Sequence, residues 1–240
     1  MAIVTGDVLG WWDFQEGSGS TSADKITAGG TNATLGSLTS WTTGGPTNLP
    51  NGVNFPASGA NSFVEVAKLY TATSASYSTW VLMNSTTTNQ QVIGNGGLGG
   101  AGQGDIFMEA VTANKIKGRS RVSGADYTIV SSSSVSTATL YHMVYTVTNG
   151  AQALFINGSS EGTTTGATTL ISPATDNLLF GQRSQKNNTF LLNGKIFQGI
   201  LFNRELTSTE VSDLYNTGTG KTYAQMFSTP TNTGNFFAFF

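Results

Sequence analysis

The chain has 240 residues, only 10% of them charged, and a net charge of −2. Average globular proteins have roughly 25% charged residues, and the weak negative charge argues against nucleic acid or an anionic membrane as a partner. Cysteine is absent, which excludes a disulfide framework and a thiolate site. The length suits one large β domain or two small domains.

The first half of the chain predicts short strands separated by polar turns. Runs rich in β-branched and aromatic residues, bounded by Gly, Asn and Ser, are typical of strands. Alternation of side chains places Trp12 and Phe14 on one face of the first strand and Trp11 on the other. The predicted strands are Val8–Phe14, a short strand near Leu35, Val53–Phe55, Phe63–Val66, Tyr77–Met83 and Gln91–Ile93.

The second half adds the strands Asp105–Ala110, Lys115–Val122 and Tyr127–Val130, followed by a predicted meander over Leu140–Gly162. In the meander, Asn149-Gly150 and Asn157-Gly158 bracket a short apolar run. Asn-Gly readily adopts positive φ at both central positions of a tight hairpin turn. Both faces of these strands carry apolar residues, so we expect them inside a stack of sheets and not at its surface.

The chain after the meander predicts two strands and one helix. The strands are Asn177–Arg183 and Leu192–Leu206. Thr207 is a predicted N-cap, and Glu210 three residues later completes a capping box for a helix that ends at Tyr215. The stretch after this helix is polar and then ends in four phenylalanines.

These segments resemble, in order, the motifs of laminin-G-like domains in the concanavalin A-like lectin/glucanase superfamily. WDFQEGSGS resembles the opening W-x-F-D-E-G-S-G, with Gln15 in place of the usual aspartate. Trp80 and His142 fall on the Trp and His of the family, and Asn157-Gly158 on its Asn-Gly. The resemblance implies an all-β fold, a two-sheet antiparallel jelly-roll sandwich with one short C-terminal helix. This domain would span residues 1–216, with a C-terminal extension over 217–240.

The sequence predicts no catalytic residues and therefore no enzyme. Glycoside hydrolysis requires two carboxyls about 5 to 10 Å apart, and the E-x-D-x-x-E spacing of glucanases in the superfamily does not occur. His142 is the only histidine, and its place on a core strand favours a hydrogen-bonded packing role. A degenerate glycoside hydrolase remains a third hypothesis.

Calcium binding is the cofactor hypothesis that the resemblance raises. Many relatives hold a structural ion with acidic residues of the first and last strands, but the corresponding positions are Gln15, Phe197 and Gln198. We therefore predict no cofactor. Because calcium requires six to eight oxygen ligands, several of them from carboxylates, the remaining candidates for a structural calcium are Asp13, Glu16 and Asp24.

Sugar binding requires an exposed aromatic ring flanked by hydrogen-bonding side chains. Trp11 is one aromatic candidate. The predicted glycan-binding residues are Trp41, Tyr127, Asn187, Asn188 and Phe190, with core or interface packing as the alternative for each aromatic.

The leading functional hypothesis is a non-enzymatic bacteriophage virion protein, either a capsid decoration (cement) protein or a fibre-associated module. The opening residues lack the features of a signal peptide, yet the Thr-, Ser-, Gly- and Asn-rich composition is typical of extracellular surfaces. A virion protein released by lysis reconciles the two, and its predicted location is the virion surface; the alternative is extracellular. The alternative function is a carbohydrate-binding lectin module that recognises a host receptor or another surface glycan.

The aromatic C-terminus is the predicted assembly contact. Buried phenylalanine contributes ~2–3 kcal/mol of transfer free energy, so four exposed rings would be costly. We expect Phe236, Phe237, Phe239 and Phe240 to contact another copy of the chain, in a homo-oligomer, or capsid or other virion proteins. Folding back onto the same domain is the alternative.

Overall fold

The computed structural model of the chain describes residues 2–26, 31–67, 74–86, 88–95, 103–111, 113–122, 125–166, 177–183 and 186–228. The strands are β1 (Val8–Trp12), β2 (Thr21–Ser22), β3 (Ala33–Leu35), β4 (Ser40–Thr43), β5 (Asn51–Pro56), β6 (Val64–Val66), β7 (Ala75–Met83), β8 (Gln90–Asn95), β9 (Gln103–Val111), β10 (Lys115–Val122), β11 (Ala125–Val130), β12 (Leu140–Thr148), β13 (Ala151–Ile156), β14 (Ser159–Thr165), β15 (Leu178–Phe180) and β16 (Asn193–Phe202). Helices α1 (Ser208–Tyr215) and α2 (Tyr223–Phe227) follow, and 3₁₀ turns cover Thr5–Asp7 and Asn216–Gly218.

The strands form two eight-stranded antiparallel sheets. Sheet A has the order β14-β13-β12-β7-β16-β5-β4, with β1 paired to β16; sheet B has the order β11-β10-β9-β8-β15-β6-β3-β2. The architecture confirms the predicted all-β jelly-roll sandwich. Within the described ranges, no helix has the length and apolarity needed to span a bilayer.

The main core lies between the two sheets and follows the predicted alternation. Met143, Tyr145 and Val147 of β12 point into it, together with Trp12 and Phe14. Gly118 of β10 faces the Tyr145 ring so closely that a Cβ there would lie 2.3 Å from Tyr145 Cδ2. The aromatic side chains of sheet A therefore occupy space that small residues of sheet B leave open.

Two turns of the meander differ from each other. At the second, Asn157 and Gly158 have φ of 50° and 78°, as a type I′ turn requires. At the first, Gly150 has a positive φ of 85° but Asn149 does not. The expectation of positive φ at both positions is therefore wrong for Asn149, although the two strands still pair across a two-residue turn.

The outer face of sheet A is covered by the helices, and the described residues form no third sheet there, so the expectation that the meander strands lie inside a stack of sheets is wrong. Thr207 caps α1, and Glu210 completes the predicted capping box. Leu206 and Val211 lie in one buried cluster with Trp11, whose ring contacts Tyr223 and Phe227 of α2 edge to face. The sequence reasoning did not predict the short helix α2.

His142 lies under α1 on the same outer face and has the expected packing role. Its Nε2 is 2.9 Å from Ser78 Oγ, and its ring stacks on Tyr215 and contacts Trp80 at a tilt of 33°. Burial lowers the pKa of His142 to about 3. The imidazole is therefore neutral at physiological pH.

Candidate functional site

The three carboxylates proposed as calcium ligands are each occupied by donors of the protein. Asp13 accepts from Trp11 Nε1 at 2.5 Å and from Gln198 Nε2 at 2.9 Å, and burial raises the pKa of its carboxyl. Asp24 accepts from two backbone N–H groups, and Glu16 from another. No group of three or more His, Asp or Glu side chains suited to a metal occurs among the described residues. Asp13, Glu16 and Asp24 are thus not brought together into a metal centre.

One pair of carboxylates, Asp7 and Glu210 of the capping box, meets at a single arginine. Arg204 Nη2 donates to Asp7 Oδ2 at 2.9 Å and to Glu210 Oε1 at 2.6 Å, beside a cavity of about 450 Å³. The hydrogen bond from Arg204 lowers the pKa of both carboxyls, that of Glu210 to about 2. A general acid must hold a proton near the working pH. Both carboxyls are ionised at neutral pH, so neither of them can protonate a leaving group.

Trp41 is the predicted glycan residue that lines a cleft. It lies on β4, at the edge of sheet A, where its Nε1 donates to Gly19 O at 2.8 Å. The half-buried ring packs against the main core. It also borders a cleft of about 190 Å³ whose other walls are Gly17, Thr42, Thr43 and Asn51. An aromatic residue, two threonines and an asparagine therefore line one small concave site.

Gln15 holds Asn51, one of the polar residues that line this cleft, which we call the Trp41 cleft. Its Nε2 donates to Asn51 O at 2.8 Å, its Oε1 accepts from Asn51 N at 3.1 Å, and its backbone O accepts from Asn51 Nδ2 at 3.3 Å. An ionised aspartate at this position could accept but not donate. Gln15, where the family usually carries aspartate, therefore joins the segment after β1 to β5.

The remaining predicted glycan residues lie elsewhere on the sandwich. Tyr127 packs against the core from β11, which neighbours β14. Since β14 and β4 are the two ends of sheet A, Trp41 and Tyr127 are separated by roughly 30 Å, six strand spacings of ~4.8 Å. Phe190 follows the exposed Asn187 and Asn188 in one loop. The five predicted residues therefore do not form a single site.

The other two groups of predicted residues are the Trp11 side chain and the C-terminal phenylalanines. The Trp11 side chain is fully buried, so it presents no exposed ring. The predicted assembly contact of Phe236, Phe237, Phe239 and Phe240 lies outside the described residues. It stays a prediction.

Sequence reasoning missed a charged cluster on the outer face of sheet B. The carboxylate of Glu109 is fully buried and bonds Lys117 Nζ at 2.8 Å and Arg183 Nη2 at 2.7 Å. Burial raises the pKa of Glu109, but its bonds to the two cations outweigh this, so the pKa is lowered. Arg183 in turn stacks over Phe190, with Cζ 3.3 Å from the ring centroid. The signal that could have located this cluster is the alternation of basic residues along β10.

Comparison with known proteins establishes the family. A family model described as the concanavalin A-like lectin/glucanases superfamily matches residues 56–212. The chain belongs to this superfamily. A search of the curated proteins finds no significant match.

Several solved structures share the superfamily fold with this chain. The binding domain of paraclostridial mosquitocidal protein 1 superimposes with a TM-score of 0.68 at 14% identity, covering 89% of this chain and 53% of that one. Domain 4 of AbnA, an extracellular arabinanase from Geobacillus stearothermophilus solved with arabinotriose, gives 0.66 at 17% identity, covering 86% and 97%. The receptor-binding domain of botulinum neurotoxin type G gives 0.65 at 17% identity, covering 88% and 51%. This chain thus spans about half the length of the two toxin domains.

Proposed function

We propose that this superfamily member is a non-enzymatic carbohydrate-binding module and that its sugar site is the Trp41 cleft. The observation that carries the proposal is the juxtaposition of the half-buried indole with Thr42, Thr43 and Asn51 around one cavity. Sugar-binding sites combine an apolar ring face with a few placed hydrogen-bonding groups. The apolar face of a sugar would lie against the indole, and its hydroxyls would bond the threonine and asparagine side chains.

The dimensions of the cleft limit the ligand. Its volume of about 190 Å³ is below the ~300–1,000 Å³ typical of pockets for drug-sized ligands. One sugar residue, terminal or within a chain, matches this size better than a buried oligosaccharide. Because only one face of such a residue is covered, we expect weak, reversible binding.

Two solved relatives support the sugar-binding class. Domain 4 of the arabinanase was solved with arabinotriose, and this chain covers nearly all of that domain. The binding domain of botulinum neurotoxin DC, solved in complex with SialylT, superimposes with a TM-score of 0.62 at 14% identity, covering 89% of this chain and 51% of that one. A binding role without catalysis is also supported by the described acids, since Asp7 and Glu210 stay ionised around Arg204.

A virion structural role is the second candidate function. It is favoured by the charge-poor, Thr- and Ser-rich composition and by the four C-terminal phenylalanines. In this role the protein would be made in the host cytoplasm and act on the virion surface as a decoration or fibre-associated protein. The aromatic tail would contact another copy or the capsid, and the Trp41 cleft would face surface glycans. Detection of the protein on purified virions would test this role.

A glycan array followed by titration of the best ligand tests the sugar site. Trp41→Ala should weaken binding at least about tenfold, since an aromatic contact contributes ~0.5–1.5 kcal/mol beyond the area it buries. Trp41→Phe should retain part of the affinity. Val130→Thr, which trims an exposed apolar residue on β11, is the matched control. Failure of the array to detect any glycan, or unchanged affinity in Trp41→Ala, would contradict the proposal.

A further inference from the structure

A carboxylate on β6 contacts both an amine and a side-chain amide. Val64 and Val66 point into the core, so Glu65 between them points to the outer face of sheet B. Its Oε1 accepts a hydrogen bond from Lys186 Nζ at 2.7 Å and a second from Asn177 Nδ2 at 2.8 Å. Lysine, asparagine and glutamate therefore meet at one oxygen atom.

The loop that carries Lys186 is held in an unusual backbone conformation. Three of its non-glycine residues, Lys186, Asn188 and Phe190, have positive φ of 49°, 62° and 58°. Such conformations cost free energy and persist only where the surrounding contacts hold them, often at functional sites. The Lys186 N–H also donates to Arg183 O at 3.0 Å. This turn brings the chain back beside β15, so that the lysine meets Asn177, the residue directly before that strand.

Apolar side chains adjoin the three polar groups. Lys186 Nζ lies 4.5 Å from the centroid of the Phe63 ring, and Phe63 is only 9% exposed. Leu179 of β15, in register with Glu65, is fully buried. Apolar walls limit the access of water, and a site with little water favours attack by a neighbouring amine over hydrolysis. The amine of Lys186 is already in place for such an attack.

The carboxylate of Glu65 is the proton acceptor that this chemistry requires. Burial raises the pKa of Glu65, but the hydrogen bonds from Lys186 and Asn177 outweigh this, so the pKa is lowered. The resting state is therefore an ion pair, and transfer of the first proton from Lys186 to Glu65 is uphill. A slow reaction is sufficient, because it occurs once in each molecule and the departure of ammonia makes it irreversible.

The reaction balances with the groups of the chain alone. Glu65 takes one proton from the ammonium of Lys186, and the lone pair of Nζ then forms a bond to Cγ of Asn177. The carboxyl gives its proton to Nδ2 as the Cγ–Nδ2 bond breaks, and accepts the second proton of the attacking nitrogen. Ammonia leaves and removes that proton as ammonium, which restores the carboxylate of Glu65.

We propose that Lys186 and Asn177 form an intramolecular isopeptide bond, with Glu65 as the residue that transfers the protons. The bond would join the residue before β15 to the loop after it and would hold that loop covalently at the edge of its strand. The proposal does not involve the Trp41 cleft, and it stands whether or not the protein binds a sugar.

The test is the mass of the intact folded chain, followed by a tryptic digest. The isopeptide bond lowers the mass by that of one ammonia molecule, whereas hydrolysis of an asparagine amide raises it. Trypsin cuts after Arg183, between the two residues, so the bond keeps the peptide that ends there attached to the one that contains Lys186. A succinimide at an Asn-Gly pair has the same mass change but leaves these peptides separate.

Glu65→Gln and Lys186→Arg should each abolish the linked peptide, and thermal melts establish that both variants fold. Lys186→Arg keeps the positive charge beside Glu65 but removes the amine. The matched control is Glu161→Gln on β14, because Glu161 also accepts from two donors, Ser132 Oγ and Ser133 N, both at 2.7 Å. This control should leave the linked peptide unchanged.

A further measurement separates the chemistry from the folding of the variants. Wild-type chain isolated and kept in urea should stay unlinked, and it should form the linked peptide only after refolding. Separate peptides from wild-type protein after prolonged incubation in the folded state would overturn the proposal. A link that forms equally fast in urea, or in folded Glu65→Gln, would also overturn it.

Discussion

Glu210 provides the sharpest quantitative prediction, because one carboxylate joins α1 to the sandwich. Its Oε2 accepts from Thr207 N at 2.9 Å, which closes the capping box. The same carboxylate bonds Arg204 through Nη1 at 2.9 Å and Nη2 at 2.6 Å. The Glu210 side chain is only 3% exposed, so these bonds are little screened by water. Glu210→Gln keeps the shape but replaces one acceptor oxygen by a donor.

The expected loss follows from the pKa. Hydrogen bonding to Arg204 lowers the pKa of Glu210 from 4.5 to about 2, which corresponds to about 3 kcal/mol, since one pKa unit is roughly 1.4 kcal/mol. The folded pKa lies below the unfolded one, so this stabilisation is complete above about pH 4.5 and is lost as pH falls towards 2. We expect Glu210→Gln to reduce the free energy of unfolding by about 2–3 kcal/mol at pH 7 and by much less at pH 2.5.

Urea denaturation at both pH values measures the difference directly. Glu205→Gln is the matched control, since Glu205 is an exposed acid next to the same helix, and a surface change of this kind alters stability by only about ±0.5 kcal/mol. A loss below about 1 kcal/mol at pH 7, or an equal loss at both pH values, would refute the reasoning.

Three further predictions concern packing, metal and the C-terminus. Gly118→Ala should destabilise the fold by about 1–3 kcal/mol, because its Cβ would overlap the Tyr145 ring; Gly6→Ala, with no atom within 4 Å of its Cβ, is the control in thermal melts, and equal melting of the two variants would contradict the packing. Adding EDTA should hardly change the melting temperature, whereas a fall above about 10 °C, more than roughly 2 kcal/mol of coupled binding, would show a structural calcium. Deleting residues 235–240 should leave melting unchanged but abolish oligomerisation or virion attachment; unfolding, or normal assembly of the truncated protein, would rule out the assembly contact.

Local signals explain which parts of the fold could be predicted. Strand alternation located β12 and β13 with the correct faces, and the Thr207–Glu210 capping box located α1. Helix α2 was missed because five residues are too short for a periodic pattern, although Thr222 and Gln225 form a capping box. Its position depends on contacts with Trp11, far away in the sequence. The short strands β2 and β4 likewise depend on partners in their sheets.

The candidate site could be predicted only in part. Composition marked Trp41 as an aromatic candidate, but the cleft beside it depends on Gln15 joining Asn51, a contact between distant residues. The Arg204 network and the pairing of Glu109 with Lys117 and Arg183 also depend on the folded chain. The sequence indicated which residues had side chains suited to binding a sugar. It could not show which of those residues the fold brings together into one site.

The sugar site is tested most directly by the indole resonances of the four tryptophans during titration with the best glycan. Trp11, Trp12 and Trp80 are at most 1% exposed, so Trp41 is the one tryptophan that a ligand can contact. We predict that the Trp41 indole N–H signal shifts with glycan concentration while the other three stay fixed. A glycan that binds without moving the Trp41 signal would contradict the assignment of the cleft.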